Sequence, residues 1–332
     1  MRESRHAIGV DIGGTKINIG LIDFRGHILR DITVPTMAKE RRVMAQTIDG
    51  IRALLSESEA EADNAIPCGI GVGSAGQIDF ETGTVISATD LLPEYAGTPI
   101  RAILEQCFGM PVYVDNDVNV LALSELYLSK EERLRDFICV ALGTGVGGGV
   151  VTDGHLVRGV QGIGGEIGHI SVDFRGPVCM CGGIGCLELY TSGTSIARRM
   201  GEKRGRLEAC VEWSCREVVE QWLRGDTAAT EVMEETIEAL SAGLAGLIHT
   251  FNPAKIVIGG GVADAGEPLF TRLRLETYKR TMPAYCDATR IEPPLFGTRS
   301  GMIGAAIQVF RYGGAKQAEN ELRLKGRLIP WH

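Results

Sequence analysis

The chain opens with a motif that it repeats, and a duplicated opening constrains the fold more than any single motif does. The first copy reads Ile8-Gly-Val-Asp11-Ile-Gly13-Gly14-Thr15-Lys16-Ile-Asn-Ile-Gly-Leu-Ile-Asp23. The second reads Ile138-Cys-Val-Ala141-Leu-Gly143-Thr144-Gly145-Val-Gly-Gly-Gly-Val-Val-Thr-Asp153. Both continue into Gly-His, two apolar residues and an arginine, from Gly26 to Arg30 and from Gly154 to Arg158. An apolar run, a glycine turn and a second apolar run predict a β-hairpin at the head of a domain. The shared Gly-His continuation favours duplication over two unrelated hairpins. A length of 332 residues suits two domains. The repeat alone puts their border near residue 120, giving a smaller domain over 1–120 and a larger one over 121–305. Asp23 and Asp153 close the two hairpins and read as turn residues.

Between and after the copies, helical and strand patterns alternate. Residues 41–58, 119–128, 194–200, 216–224, 227–251 and 301–312 have helical spacing; 68–72, 112–114 and 256–258 are short apolar runs. The tail over 316–332 is charged. Such alternation predicts an α/β protein whose sheets are covered by helices.

Bulk properties exclude several functions. A formal net charge of −8 opposes a nucleic-acid partner, whose phosphates are normally met by lysine and arginine. The most apolar later stretch, 240–251, is too short and too polar for a bilayer. The residues before the first strand lack the long apolar stretch of a signal peptide. Nine cysteines, an odd number with one dense cluster, fit a reducing compartment rather than a disulfide framework. A cytoplasmic protein is expected.

That cluster is Cys179-Met-Cys181-Gly-Gly-Ile-Gly-Cys186, with His169 upstream in Gly-Gly-Glu166-Ile-Gly-His169 and Glu188 just beyond. Four soft or borderline ligands at this spacing can close a tetrahedron around one zinc ion. Buried thiols that merely pack are the alternative. Three glycine turns each follow an apolar strand: Gly13-Gly14-Thr15-Lys16 after Asp11, Gly143-Thr144-Gly145, and Gly259-Gly260-Gly261. Turns of this kind let backbone amides converge on phosphate oxygens. None has the Walker A spacing or the dinucleotide fingerprint. Finally, Val112-Tyr-Val-Asp115-Asn116-Asp117-Val-Asn119 ends an apolar strand in a polar burst. Asn and Asp there suit a helix cap. They equally suit a carboxylate at a strand terminus, with Asp117 accepting a proton from an attacking hydroxyl and Asn116 orienting it.

These motifs together resemble the ROK family (repressors, open reading frames, kinases) of the actin-like ATPase superfamily. The resemblance spans essentially the whole chain and is most specific in Gly-Gly-Glu-Ile-Gly-His followed by Cys-x-Cys-Gly-x-x-Gly-Cys-x-Glu. It implies an α/β fold of duplicated actin-like, ribonuclease H-like domains with a cleft between them, and a C-terminal helix over about 306–332 packed back on the smaller domain. It implies ATP and Mg²⁺, with Gly13, Gly14, Thr15 and Lys16 as the first phosphate turn and Asp11 near the magnesium. Gly143, Thr144 and Gly145 would form the second phosphate turn, and Gly259, Gly260 and Gly261 the nucleotide-contacting one. Asp117 would be the catalytic base beside Asn116. Gly76, Thr89, Asp90, Glu166, His169 and Glu188 would contact the sugar. His169, Cys179, Cys181 and Cys186 would hold a structural Zn²⁺ in the loop 166–188. Many relatives are homodimers, so a homodimer or homotetramer is expected.

Two departures bear on the substrate. The loop Gly73-Ser74-Ala75-Gly76-Gln77 lacks the proline many relatives place before its second glycine. Asp90 stands where glucokinase-like members commonly have a sugar-binding asparagine, and an ionised carboxylate accepts hydrogen bonds but donates none. The reading is therefore a sugar kinase acting on a primary hydroxyl of glucose, a related hexose or an N-acylhexosamine, with a non-glucose polyol and a polyphosphate donor left open. A sugar-responsive regulator would carry an additional helix-turn-helix, for which Asp11 at the first turn leaves no room. A zinc hydrolase or dehydrogenase would need an open coordination position that four protein ligands close.

Overall fold

The computed structural model describes residues 5–60, 66–88, 92–131, 134–205 and 212–324. The chain divides into two compact units. The first comprises Met1–Lys130, Val160–Ile163 and Arg299–His332; the second comprises Glu131–Gly159 and Gly164–Thr298.

The first unit contains strands β1 (His6–Ile12), β2 (Lys16–Asp23), β3 (Ile28–Pro35), β4 (Pro67–Ser74), β5 (Gln77–Asp79), β6 (Thr84–Ser87) and β7 (Val112–Asn116). Its helices are α1 (Val43–Ala60), α2 (Ile100–Phe108), α3 (Asp117–Leu128) and, from late in the chain, α10 (Ser300–Leu324). The main sheet has the order β3-β2-β1-β4-β7, with β2 antiparallel to β1 and β3, and with β4 parallel to β1 and β7. Side chains alternate faces along a strand. Ile8, Val10, Ile70 and Val72 therefore share a core with Ile51 of α1 and Leu104 of α2. The intervening residues of β4 are glycines, Gly69, Gly71 and Gly73, and this leaves bare backbone on the opposite face. There α10 lies directly against the sheet. A Cβ on Gly71 would overlap the Ala305 carbonyl, and Gln308 Nε2 donates to the Val72 carbonyl at 2.9 Å. Helix α10 also crosses α3 so closely that a Cβ on Gly304 would overlap the Val120 carbonyl.

The second unit repeats the plan. Its strands are β8 (Phe137–Leu142), β9 (Val146–Thr152), β10 (His155–Leu156), β11 (Lys255–Gly259) and β12 (Arg290–Glu292), ordered β10-β9-β8-β11-β12. Again the first three pair antiparallel and the last two run parallel to the first hairpin strand. Helices α4 (Glu188–Thr191), α5 (Gly193–Arg204), α6 (Cys215–Leu223), α7 (Thr227–Phe251), α8 (Glu267–Arg280) and α9 (Pro283–Cys286) complete it. Helix α7 carries Val232, Ile237, Leu240, Leu244 and Ile248 into the core over β8 and β11. Among the described residues no helix is long and apolar enough to cross a membrane.

The duplication read from sequence is thus a duplication of topology, though the third strands differ. β3 has eight residues and β10 two. The first unit runs through Lys130 rather than ending near residue 120, because α3 packs on α10 and β4. The charged tail stays helical to Leu324. Asp23 and Asp153 do sit in turns: Asp23 Oδ1 accepts from the Arg25 and His27 amides, and Asp153 has φ of 50°.

Candidate active site

In the first unit the polar burst after β7 is folded by its own side chains. Asn116 caps α3, its Oδ1 accepting from the Val118 amide at 2.9 Å and the Asn119 amide at 3.3 Å. Its Nδ2 donates to the Gly76 carbonyl at 3.0 Å, which ties the helix start to the loop after β4. Beneath them the buried Asp115 Oδ1 accepts from the Asn116 amide and from Asn119 Nδ2, both at 2.8 Å. Asp117 is the first residue of α3. Burial first, and then the negative charge of Asp11, lift its carboxyl to about 6. Burial also holds Asp11 above the ordinary carboxylate range, although the Asn18 hydrogen bond (3.2 Å) and the Lys16 charge pull it down. Two like charges in one part-buried place favour a proton on one of them. A carboxyl titrating near neutrality at a helix start is equipped to take a proton from a hydroxyl.

The first glycine turn joins β1 to β2. Gly13 donates its amide to the Lys16 carbonyl at 3.0 Å, and Thr36 Oγ1 donates to the Gly13 carbonyl at 2.7 Å. In the second unit the other two turns leave the ends of the parallel neighbours β8 and β11. Their backbones touch: the Val262 amide donates to the Leu142 carbonyl at 3.1 Å, and a Cβ on Gly260 would overlap that same carbonyl. Ligands of α/β sheets collect at such carboxyl ends.

The segment from Glu166 to Glu188 meets β9 at its two ends. A Cβ on Gly168 would overlap the Val146 carbonyl, so the short helical turn Ile167–His169 sits against the strand's first residue. Glu166 precedes that turn, and its carbonyl accepts from the His169 amide at 3.1 Å. Glu188, at the start of α4, reaches back to the same strand, where its Oε2 accepts from the Val146 amide at 2.7 Å. His169, Cys179, Cys181 and Cys186 converge, their donor atoms all within 4.8 Å of one another. Cys179 Sγ is 3.8 Å from His169 Nδ1, and Cys181 Sγ is 3.6 Å from Cys186 Sγ. Zinc–sulfur bonds of ~2.3 Å in a tetrahedron would set sulfurs about 3.8 Å apart. The donor set therefore fits a four-coordinate metal. The glycines between the cysteines make the approach possible: Gly185 has φ of 62°, and its Cβ would overlap the Asp173 carbonyl.

In the first unit, therefore, Asp11, Gly76, Asn116 and Asp117 are linked by hydrogen bonding and charge. The second unit gathers Glu166, His169, Glu188, the cysteines and the turns at 143–145 and 259–261. Thr89 and Asp90 lie outside the described residues. Two contributors were not foreseen. Asp115 and Asn119 brace the start of α3 from below; their signal was a run of polar residues directly after buried strand positions. Glu188, expected as a sugar contact, fastens the strand that follows the second glycine turn.

Comparison with known proteins finds relatives over most of the chain. A family model described as the ROK family matches residues 7–311. A glucokinase of Thermotoga maritima is 32% identical over 317 residues, covering 92% of this chain and 98% of that protein. A xylose repressor of Caldicellulosiruptor bescii is 28% identical, covering 91% of this chain and 77% of the repressor. Among solved structures, a ROK family glucokinase from Streptomyces griseus in complex with glucose and AMPPNP superposes with a TM-score of 0.76 at 31% identity, covering 91% of this chain and 98% of that one.

Proposed function

The chain belongs to the ROK family, and on that premise we propose that it transfers the γ-phosphoryl group of ATP to a sugar hydroxyl, with Asp117 as general base. The observation that carries this reading is the Asp117 carboxyl, raised to about 6 by burial and by Asp11. At neutral pH it is largely ionised yet basic enough to accept a hydroxyl proton as the oxygen attacks the phosphorus. Asn116 holds the start of α3 and the Gly76 loop together, so the base and the sugar loop keep a common register. The amides of the turns at 13–15 and 143–145 suit phosphate oxygens. Asp11 and Lys16 stand beside the first turn, where Mg²⁺ would be held and would neutralise charge building on the phosphoryl oxygens.

Glu166, His169 and Glu188 supply acceptors and a donor for sugar hydroxyls. Zinc on His169, Cys179, Cys181 and Cys186 would be structural, closing the loop that carries these three residues. With Nδ1 of His169 facing Cys179, a metal on that nitrogen fixes the Nε2–H tautomer, which can donate to a hydroxyl. The substrate we favour is the 6-hydroxyl of glucose or of a related hexose or N-acylhexosamine. The glucokinase relatives support it, and Asp90 in place of asparagine argues for testing other polyols beside it.

The test measures sugar-phosphate formation across hexoses, N-acetylhexosamines, fructose, allose and inositol-type polyols with ATP as donor, run with the parent and with Asp90→Asn, and repeated with polyphosphate as donor. Phosphorylation of one sugar class with ATP is the expected result. Absence of sugar-dependent phosphoryl transfer from either donor would overturn the reading. Similarity to a xylose repressor favours one alternative, a sugar-responsive regulator. Sugar-sensitive retention of promoter DNA in a gel shift would support it.

A further inference from the structure

The corner between α4 and α5 grips the second glycine turn at three points. Glu188 Oε2 accepts from the Val146 amide, just after the turn. The Gly193 amide, first in α5, donates to the Gly143 carbonyl at 2.8 Å. Thr194 Oγ1 donates to the Thr144 carbonyl at 2.9 Å, fifty positions away in sequence. In a trans peptide the C=O and the following N–H point to opposite sides. Fixing the carbonyls of Gly143 and Thr144 toward α5 therefore turns the amides of Thr144 and Gly145 the other way, as a phosphate cradle requires.

We propose that Thr194 is a positioning residue for nucleotide binding: its hydroxyl holds the Thr144–Gly145 peptide in the orientation that presents the Gly145 amide to a phosphate. The inference rests on the kinase reading above and adds a residue to it. Thr194 is exposed and packs in neither core cluster, so its loss should leave the fold intact. An unfastened carbonyl lets the peptide rotate, and the cost falls on the ligand that needs its amide. A neutral hydrogen bond of this kind is worth about fivefold in an equilibrium.

The experiment measures ADP and AMPPNP affinity by calorimetry, and KM for ATP and for the sugar, in the parent, Thr194→Val and Thr194→Ser. Valine keeps the shape and removes the donor; serine restores it. We expect about fivefold weaker nucleotide binding and a correspondingly higher KM for ATP in Thr194→Val. The KM for sugar and the melting temperature should stay unchanged, and Thr194→Ser should recover parental values. Parental nucleotide affinity in Thr194→Val would overturn the inference and leave the kinase reading standing. Equal losses in KM for sugar and in melting temperature, without rescue by serine, would overturn it in favour of a general packing role. A parent chain that binds no nucleotide would sink both.

Discussion

Asp11 and Asp117 are electrostatically coupled: after burial, the Asp11 charge is the next cause that raises the Asp117 carboxyl to about 6. A general base works only when ionised, so kcat/KM should be flat above neutrality and fall below about pH 6 by about tenfold per pH unit. Replacing Asp11 with asparagine removes the neighbouring charge. The residual activity of Asp11→Asn should therefore keep its acid limb but show it at lower pH. A pH–rate profile of both proteins checks this, and an unmoved limb would separate the two carboxylates.

Asp117→Asn keeps the size of the side chain and removes its basicity. Sugar binding measured by calorimetry should persist, while turnover should drop by more than about 10². Near-parental turnover would take Asp117 out of the base role.

Asn116 does two jobs that different substitutions separate. Asn116→Ala loses both the helix cap and the tether to Gly76, and should cost about 1 kcal/mol of stability together with weaker sugar binding. Asn116→Asp keeps the cap acceptor but cannot donate to the Gly76 carbonyl. It should retain most of the stability and still bind sugar less well. Chemical denaturation paired with calorimetry distinguishes the two outcomes.

The four donors around Cys179 predict about one equivalent of zinc in freshly purified protein. Cys186→Ser should lose that metal, lower the melting temperature by about 5 °C or more and weaken sugar binding, because the loop bearing Glu166, His169 and Glu188 loses its closure. Elemental analysis and thermal melts read both. Metal-free protein with parental sugar affinity would reduce the cluster to packing thiols.

At the crossing of α3 and α10, a methyl group on Gly304 has no room beside the Val120 carbonyl. Since the obstacle is backbone rather than a flexible side chain, Gly304→Ala should cost about 1–3 kcal/mol. Urea denaturation would measure it.

What the sequence disclosed, and what it hid, follows from where the physics is local. The hairpins were legible because glycine turns and apolar runs sit together in the chain, and the candidate site residues were legible because glycine turns and cysteine spacings are compact signals. The contrast between β3 and β10 was not. β3 alternates part-buried with exposed positions and is packed by α1, whereas β10 stops after Leu156. Helix α8 went unread although Leu269, Phe270, Leu273 and Thr277 mark a buried stripe at helical spacing. The grip of Glu188 on Val146 joins residues 42 positions apart, and no local pattern announces it.

Helix α10 covers strands made some 230 residues earlier, as the bond from Gln308 to Val72 shows. While the ribosome is still translating the second unit, the glycine-lined side of β1 and β4 has no lid. The N-terminal sheet must wait, uncapped, for α10 to emerge, and nascent chains halted before residue 299 should be the ones that chaperones and proteases seize.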